Sequence, residues 1–138
     1  MVFEILNYIK NCPYLSDFNH NVDFLGKNPY SLSVSGRCKS ESVKKYTDGD
    51  MLIKDTYSIK LRLPYGVDME RNLDNCRLLE NVGQWFSDSS ARGILPALSD
   101  GIAISATVEF SQNDAVFLAD TAVYTANVAV LYYKTKSL

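Results

Sequence analysis

Histidine is almost missing from this chain: His20 is the only one. A Ser-His-Asp or Cys-His relay needs an imidazole beside its nucleophile. His20 instead lies in the Asn-rich run SDFNHNVDFLGKNP, and no G-x-S-x-G elbow occurs anywhere. It reads as an exposed loop side chain. Closely spaced glycines are missing too. No two of the seven glycines lie nearer than eight positions, which excludes both G-x-G-x-x-G and the Walker phosphate loop. Cys12, Cys38 and Cys76 contain no C-x-x-C pair, so neither a zinc knuckle nor a disulfide framework is indicated. They are expected to be reduced thiols, with Cys76 a small core residue.

A basic excess is absent as well. Fourteen Lys and Arg against 16 Asp and Glu give a net charge of -2, too little positive charge for a protein that coats nucleic acid by phosphate neutralisation. The opening MVFEILNYIKNCPYL has Glu4 inside its apolar run and no basic flank, so neither a signal peptide nor a membrane span is expected, and synthesis in a cytoplasm is. What is present is ordinary globular composition: 138 residues, 46% hydrophobic and 22% charged, enough for a single domain over 1–138 with a proper core.

Periodicity supplies the elements. Phe3, Leu6 and Ile9, with Val2 and Ile5 beside them, predict a short amphipathic helix over 2–11 that Pro13 stops. Residues 16–29 read as an irregular connection. YSLSVSG alternates Tyr30, Leu32 and Val34 against serines and predicts a strand ending at Gly36. YSIKLRL does the same with Tyr57, Ile59, Leu61 and Leu63. A long helix over about 68–88 opens at Asp68, a natural N-cap, with Met69, Leu73, Cys76, Leu79, Val82 and Phe86 as its apolar stripe. Trp85 is expected to anchor that helix on the sheet. IAISATVEF predicts a strand with Ile102, Ile104, Ala106, Val108 and Phe110 on one face, followed by a turn near SQND. TAVYTANVAVLYY predicts a last strand that is largely apolar on both faces. The fold class is therefore α+β: about four strands, mainly antiparallel, one long helix across the sheet and a short N-terminal helix.

KKYTDGDMLIKD gathers Asp48, Asp50 and Asp55 around Gly49, a spacing that invites a metal loop. An EF-hand loop counted from Asp48 would place Leu52 and Ile59 where oxygen ligands are required, so that reading fails. Asp-Gly between two strand-forming runs predicts a hairpin turn. Arg37, Lys39, Lys44 and Lys45, near Tyr30 and Tyr46, form a local basic cluster suited to an acidic protein surface or to phosphate. As a plain alternative, the same charges guard a strand edge. No cofactor, metal or catalytic set is indicated, and the chain does not read as an enzyme. A small metal-dependent hydrolase using Asp48, Asp50 and Asp55 is the remote alternative. From Ile102 to Tyr133 the only charges are Glu109, Asp114 and Asp120. One sheet face is thus expected to need a cover, which copies of the chain, the N-terminal helix or the 16–29 segment would supply.

The order of the pieces carries a resemblance. Tyr30-Ser31 opens a strand, Lys45-Tyr46-Thr47-Asp48-Gly49 makes a turn, and Asn72 to Asn75 begin a helix ending near Trp85. Gly93-Ile94-Leu95-Pro96 then connects to a strand closing on Tyr132-Tyr133. Over roughly residues 30–134 this resembles the minor capsid or tail-terminator-like proteins of the head–tail joining module of long-tailed phages and prophages of Gram-positive bacteria. The resemblance implies a structural virion protein of the tail or neck, assembled in the bacterial host cytoplasm. It further implies a self-associated ring, commonly a hexamer, that caps the completed tail tube. The implied partners are other copies, the tail tube protein and the head–tail connector protein, with genomic DNA only passing through a mildly acidic lumen and no membrane involved. Within the same class, a head-completion or tail-tube subunit is the alternative. Lys44, Lys45, Tyr46, Asp48 and Asp50 are the expected partner contacts.

Overall fold

Each strong periodicity in the sequence forms the element it predicts, and what differs is how far each one extends. A computed structural model describes residues 2–99, 101–110, 115–118 and 120–135. Helix α1 spans Val2–Lys10 and buries Ile5, Leu6, Tyr8 and Ile9. Phe3 is 72% exposed, so the buried arc lies off the anticipated one. Cys12, Leu15 and Phe18 continue that arc through successive i→i−3 turns. Helix α2 spans Met69–Ala91, and the carboxylate of Asp68 accepts the Glu70 N–H at 3.0 Å as its N-cap.

The strands are β1 (Asn19–Val22), β2 (Ser31–Lys45), β3 (Met51–Pro64), β4 (Ile102–Phe110), β5 (Val116–Phe117) and β6 (Thr121–Lys134). They form one mixed sheet in the order β1-β2-β3-β6-β4, with β5 beside β6. Only β1 and β2 run parallel. Among the described residues the sheet thus has six strands where about four were expected, the additions being two short pieces. One of them, β1, falls in the Asn-rich run read as irregular. Its register on β2, Asn19 beside Ser31 to Val22 beside Val34, draws on backbone pairing and leaves little side-chain pattern to read. The SQND turn lies outside the described residues.

Leu32 and Val34 of β2, Tyr57, Ile59, Leu61 and Leu63 of β3, and Ala126, Val128 and Val130 of β6 form one buried layer with α1 and with Val82 and Phe86 of α2. Burying one such side chain contributes about 1.5–3 kcal/mol. The helices also pack on each other: the Tyr8 ring lies 5.2 Å from Trp85 and 5.6 Å from Phe86, and its hydroxyl donates to the Ile94 carbonyl at 2.8 Å. Trp85 therefore ties helix to helix, and Phe86 is the anchor on the sheet.

Three sequence expectations fail for identifiable reasons. In the first half of α2 the side turned to the sheet carries Asn72 and Asn75 rather than the apolar stripe, so Met69 (72% exposed), Leu73 and Cys76 face outward. There Asn72 and Asn75 donate to the Gly66 and Pro64 carbonyls. The buried thiol is Cys12, whose pKa burial pushes up. In β4, a register shift between Ala103 and Ser105 breaks the alternation. Ala103 turns to the core, while Ile102 and Ile104 stay exposed. Finally, β2 does not stop at Gly36. It runs on to Lys45 past a bulge between Val34 and Cys38, through residues that are all exposed and so carry no alternation.

Both helices cover one face. On the other, the 23–30 segment folds over the β2–β3 end, bracketed by Asp23 and Tyr30 at positive φ (59° and 63°). Arg62 Nε donates to the Gly26 carbonyl at 2.8 Å, and Ser31 Oγ donates to the Asn28 carbonyl at 2.7 Å. A Cβ on Gly26 would stand 2.8 Å from Ser31 Oγ, so a larger residue there would push that hydroxyl off its bond to Asn28. The rest of that face, on β3, β6 and β4, has no described segment over it. It is mixed rather than apolar: Thr56, Ser58, Asn127, Thr107 and Glu109 occupy its middle. Leu52, Leu131, Tyr133 and Ile102 gather toward the hairpin end.

Candidate assembly surface

The β2–β3 hairpin projects beyond the helices. Its loop is closed by the Tyr46 N–H on the Asp50 carbonyl at 2.9 Å and the Gly49 N–H on the Tyr46 carbonyl at 3.0 Å. Gly49 takes φ 94°, a left-handed conformation that glycine tolerates best. The Asp48 carboxylate accepts the Asp50 N–H at 3.0 Å. Asp48 and Gly49 are therefore bend-forming residues, as the turn chemistry predicts.

At the hairpin end the structure brings together four of the five expected contact residues with one that the sequence did not point to. Lys44 Nζ sits 5.1 Å from the centre of the Tyr46 ring, within cation–π range, and Tyr46 lies 5.8 Å from Tyr133. The Tyr133 hydroxyl donates to the Asp50 carboxylate. That hydrogen bond, with smaller contributions from partial desolvation and from the charges of Asp50 and Asp48, pushes the Tyr133 pKa up to about 12. Lys45 is exposed beside this group and pairs with Met51 across the hairpin. The tyrosine joins because β6 pairs with β3 along its whole length, setting Tyr133 opposite Leu52. No local signal reports a pairing across 83 positions.

Asp55 is remote from this cluster in orientation. It is buried on the helix-bearing face and accepts a hydrogen bond from Ser40, whereas Asp50 reaches Tyr133 on the opposite face. The three aspartates of the remote metal reading therefore do not converge. Among the described residues no three His, Cys, Asp or Glu side chains gather as a ligand set. His20 is not the exposed loop residue expected from its neighbours. It lies in β1, partly buried, with Nε2 lacking a hydrogen-bond partner. Desolvation first, then the positive charge of Lys10, lower its pKa, which holds the ring neutral at pH 7.

A second surface lies beside the first half of α2. Cys76, Leu79, Glu80, Phe110, Ala115, Phe117 and Tyr124 line an open groove of about 410 Å³. Its walls are apolar, and the Phe117 ring bridges Tyr65 at 4.6 Å and Tyr124 at 6.4 Å. No described helix is long and apolar enough to cross a membrane. Compared with known proteins, the chain matches no family model and no curated protein sequence.

Proposed function

We propose that this chain is a structural subunit of a phage particle. It is a tail terminator that closes into a ring on the finished tail tube and joins it to the head connector. The observation that carries this reading is the one-sided layering of the sheet. Both helices lie on one face, and on the other the β6–β4 region, with Leu131, Tyr133 and Ile102 at its hairpin end, has no described segment of its own chain over it. An uncovered sheet end beside a projecting hairpin suits contact with copies or neighbours. The ordered motifs from Tyr30 to Tyr133 supply the family likeness, and Lys44, Lys45 and Tyr46 stand where a partner would be met. A ring of commonly six copies, the tube protein and the connector are the partners this reading names, with DNA only passing through the lumen.

Deleting the gene from the phage or prophage that encodes it tests the reading. Tails of uncontrolled length and unattached filled heads are expected, and normal virions would sink it. The same-class alternative, a tube subunit, separates by electron microscopy of the purified protein: a tube subunit extends without limit, whereas a terminator stops at one ring. A hydrolase finds no support in the placement of Asp48, Asp50 and Asp55.

A further inference from the structure

The two edges of this sheet are treated differently. On β4, the Ser90 hydroxyl of α2 accepts the Ala106 N–H at 3.0 Å and donates to the Ala106 carbonyl at 2.7 Å. Both groups of one residue point to the same side of a strand, away from β6 here, so the end of α2 seals this edge at mid-strand. The other edge is left open. Among the described residues β1 pairs with β2 only from Ser31 to Val34. There Asp23, at φ 59°, turns the chain away and its carboxylate takes the Gly36 N–H at 2.7 Å. From Cys38 to Lys45, β2 is paired to β3 on one side, with a bulge at Val43 between Ser42 and Lys44, and has no described strand on the other.

Apart from Val43 at the bulge, the side chains along this edge fall into two classes. Lys39, Glu41 and Lys44 share the face of Thr56, Lys54 and Leu52, their partners across the hairpin. Cys38, Ser40 and Ser42 lie on the opposite face, opposite Tyr57, Asp55 and Ile53. With Arg37 and Lys45, residues 37–45 hold four basic groups against one acidic, a local +3 in a chain whose total is -2. The remaining residues therefore sum to -5, from -2 less +3.

We infer that the open edge of β2 from Cys38 to Lys45 is a strand-addition site for an extended acidic segment of a partner polypeptide. That segment places carboxylates beside Lys39 and Lys44 and small uncharged side chains beside Cys38, Ser40 and Ser42. Main-chain hydrogen bonds supply the docking, and the alternation of charge supplies the choice of partner. Edge lysines also discourage pairing with another copy of the same strand, since two such edges would juxtapose like charges. The inference goes beyond the proposed ring and does not depend on it: its test uses purified protein alone, whereas the ring reading stands or falls on the deletion phenotype.

The probe is a capped nine-residue peptide alternating glutamate and threonine, titrated into isotopically labelled protein and followed by backbone amide shifts. The expected result is saturable shifts concentrated on residues 37–45. Binding should weaken at least about tenfold in a Lys39→Glu, Lys44→Glu variant, consistent with losing two cross-strand charge pairs. A peptide of the same sequence N-methylated at alternate residues keeps its charge but loses edge donors, and it too should bind at least about tenfold more weakly. Equal binding by the N-methylated peptide would reduce the contact to charge attraction and overturn strand addition. Shifts centred elsewhere, or none at millimolar peptide, would overturn it as well.

Discussion

The β2–β3 hairpin is two different objects along one pair of strands. Near its base, Leu32, Val34, Ile59, Leu61 and Leu63 are buried against α1 and the rest of the core. Beyond the bulge at Val34, every β2 residue from Gly36 to Lys45 is exposed, yet the pairing to β3 persists to Met51. The base is held by area removed from water, which on β3 extends as far as Tyr57 and Asp55 opposite Cys38 and Ser40, and the outer end of the arm by main-chain hydrogen bonds and by the Lys44–Tyr46–Tyr133–Asp50 group. Stability and recognition are thus assigned to separate lengths of the same strands, so changes in one should leave the other nearly untouched.

The largest test of that separation is on the core side. Phe86→Ala should cost about 3–5 kcal/mol in urea unfolding, because it empties a fully buried site under α2. A cost under about 1 kcal/mol would mean the core does not rest on that anchor. On the arm, Lys44→Glu combined with Lys45→Glu should unfold within about 0.5 kcal/mol of the parent while impairing the proposed head–tail joining. Normal joining in a complementation assay would remove the basic cluster from the account. The smallest effect is spectroscopic. The Tyr133 pKa is raised, so the contribution of its bond to Asp50 is fully present below the ordinary tyrosine value of 10.0 and is lost as pH rises through about 12. Asp50→Asn should bring the highest exposed-tyrosine midpoint in an ultraviolet titration down toward 10. An unchanged midpoint would detach Tyr133 from the hairpin.

What could be read from residues alone follows the same division. The Asp48-Gly49 bend and the Asp68 cap are local chemistry, and both stand where the sequence puts them. The core face of β3 alternates from Tyr57 to Leu63, so its buried set was legible, whereas β6 is apolar on both faces and carries no sign of which one is buried. Features set by distant pairing were not legible either. Ile102 and Ile104 lose their expected place to a bulge, which leaves no mark in IAISATVEF. Met69, Leu73 and Cys76 form a sound helical stripe, but packing turns Asn72 and Asn75 inward in their place, where they bond the Gly66 and Pro64 carbonyls, and no apolar period reports that. The arm beyond Gly36 has no hydrophobic period to read because no described segment covers it. Tyr133 reaches Asp50 only through the β3–β6 register, so the centre of the candidate surface was half visible: its hairpin members by local turn chemistry, its β6 member not at all.

The tether from Arg62 to Gly26 bears on more than the 23–30 segment. By roofing one end of the second face with polar bonds and leaving the hairpin end bare, it makes the subunit directional along its strands. Copies arranged side by side around an axis would form a ring with two unlike rims, one built of bonded loops and the other of projecting hairpins. Such an object cannot be turned over and still offer the same surface, and a piece that must meet a different neighbour above and below needs that asymmetry.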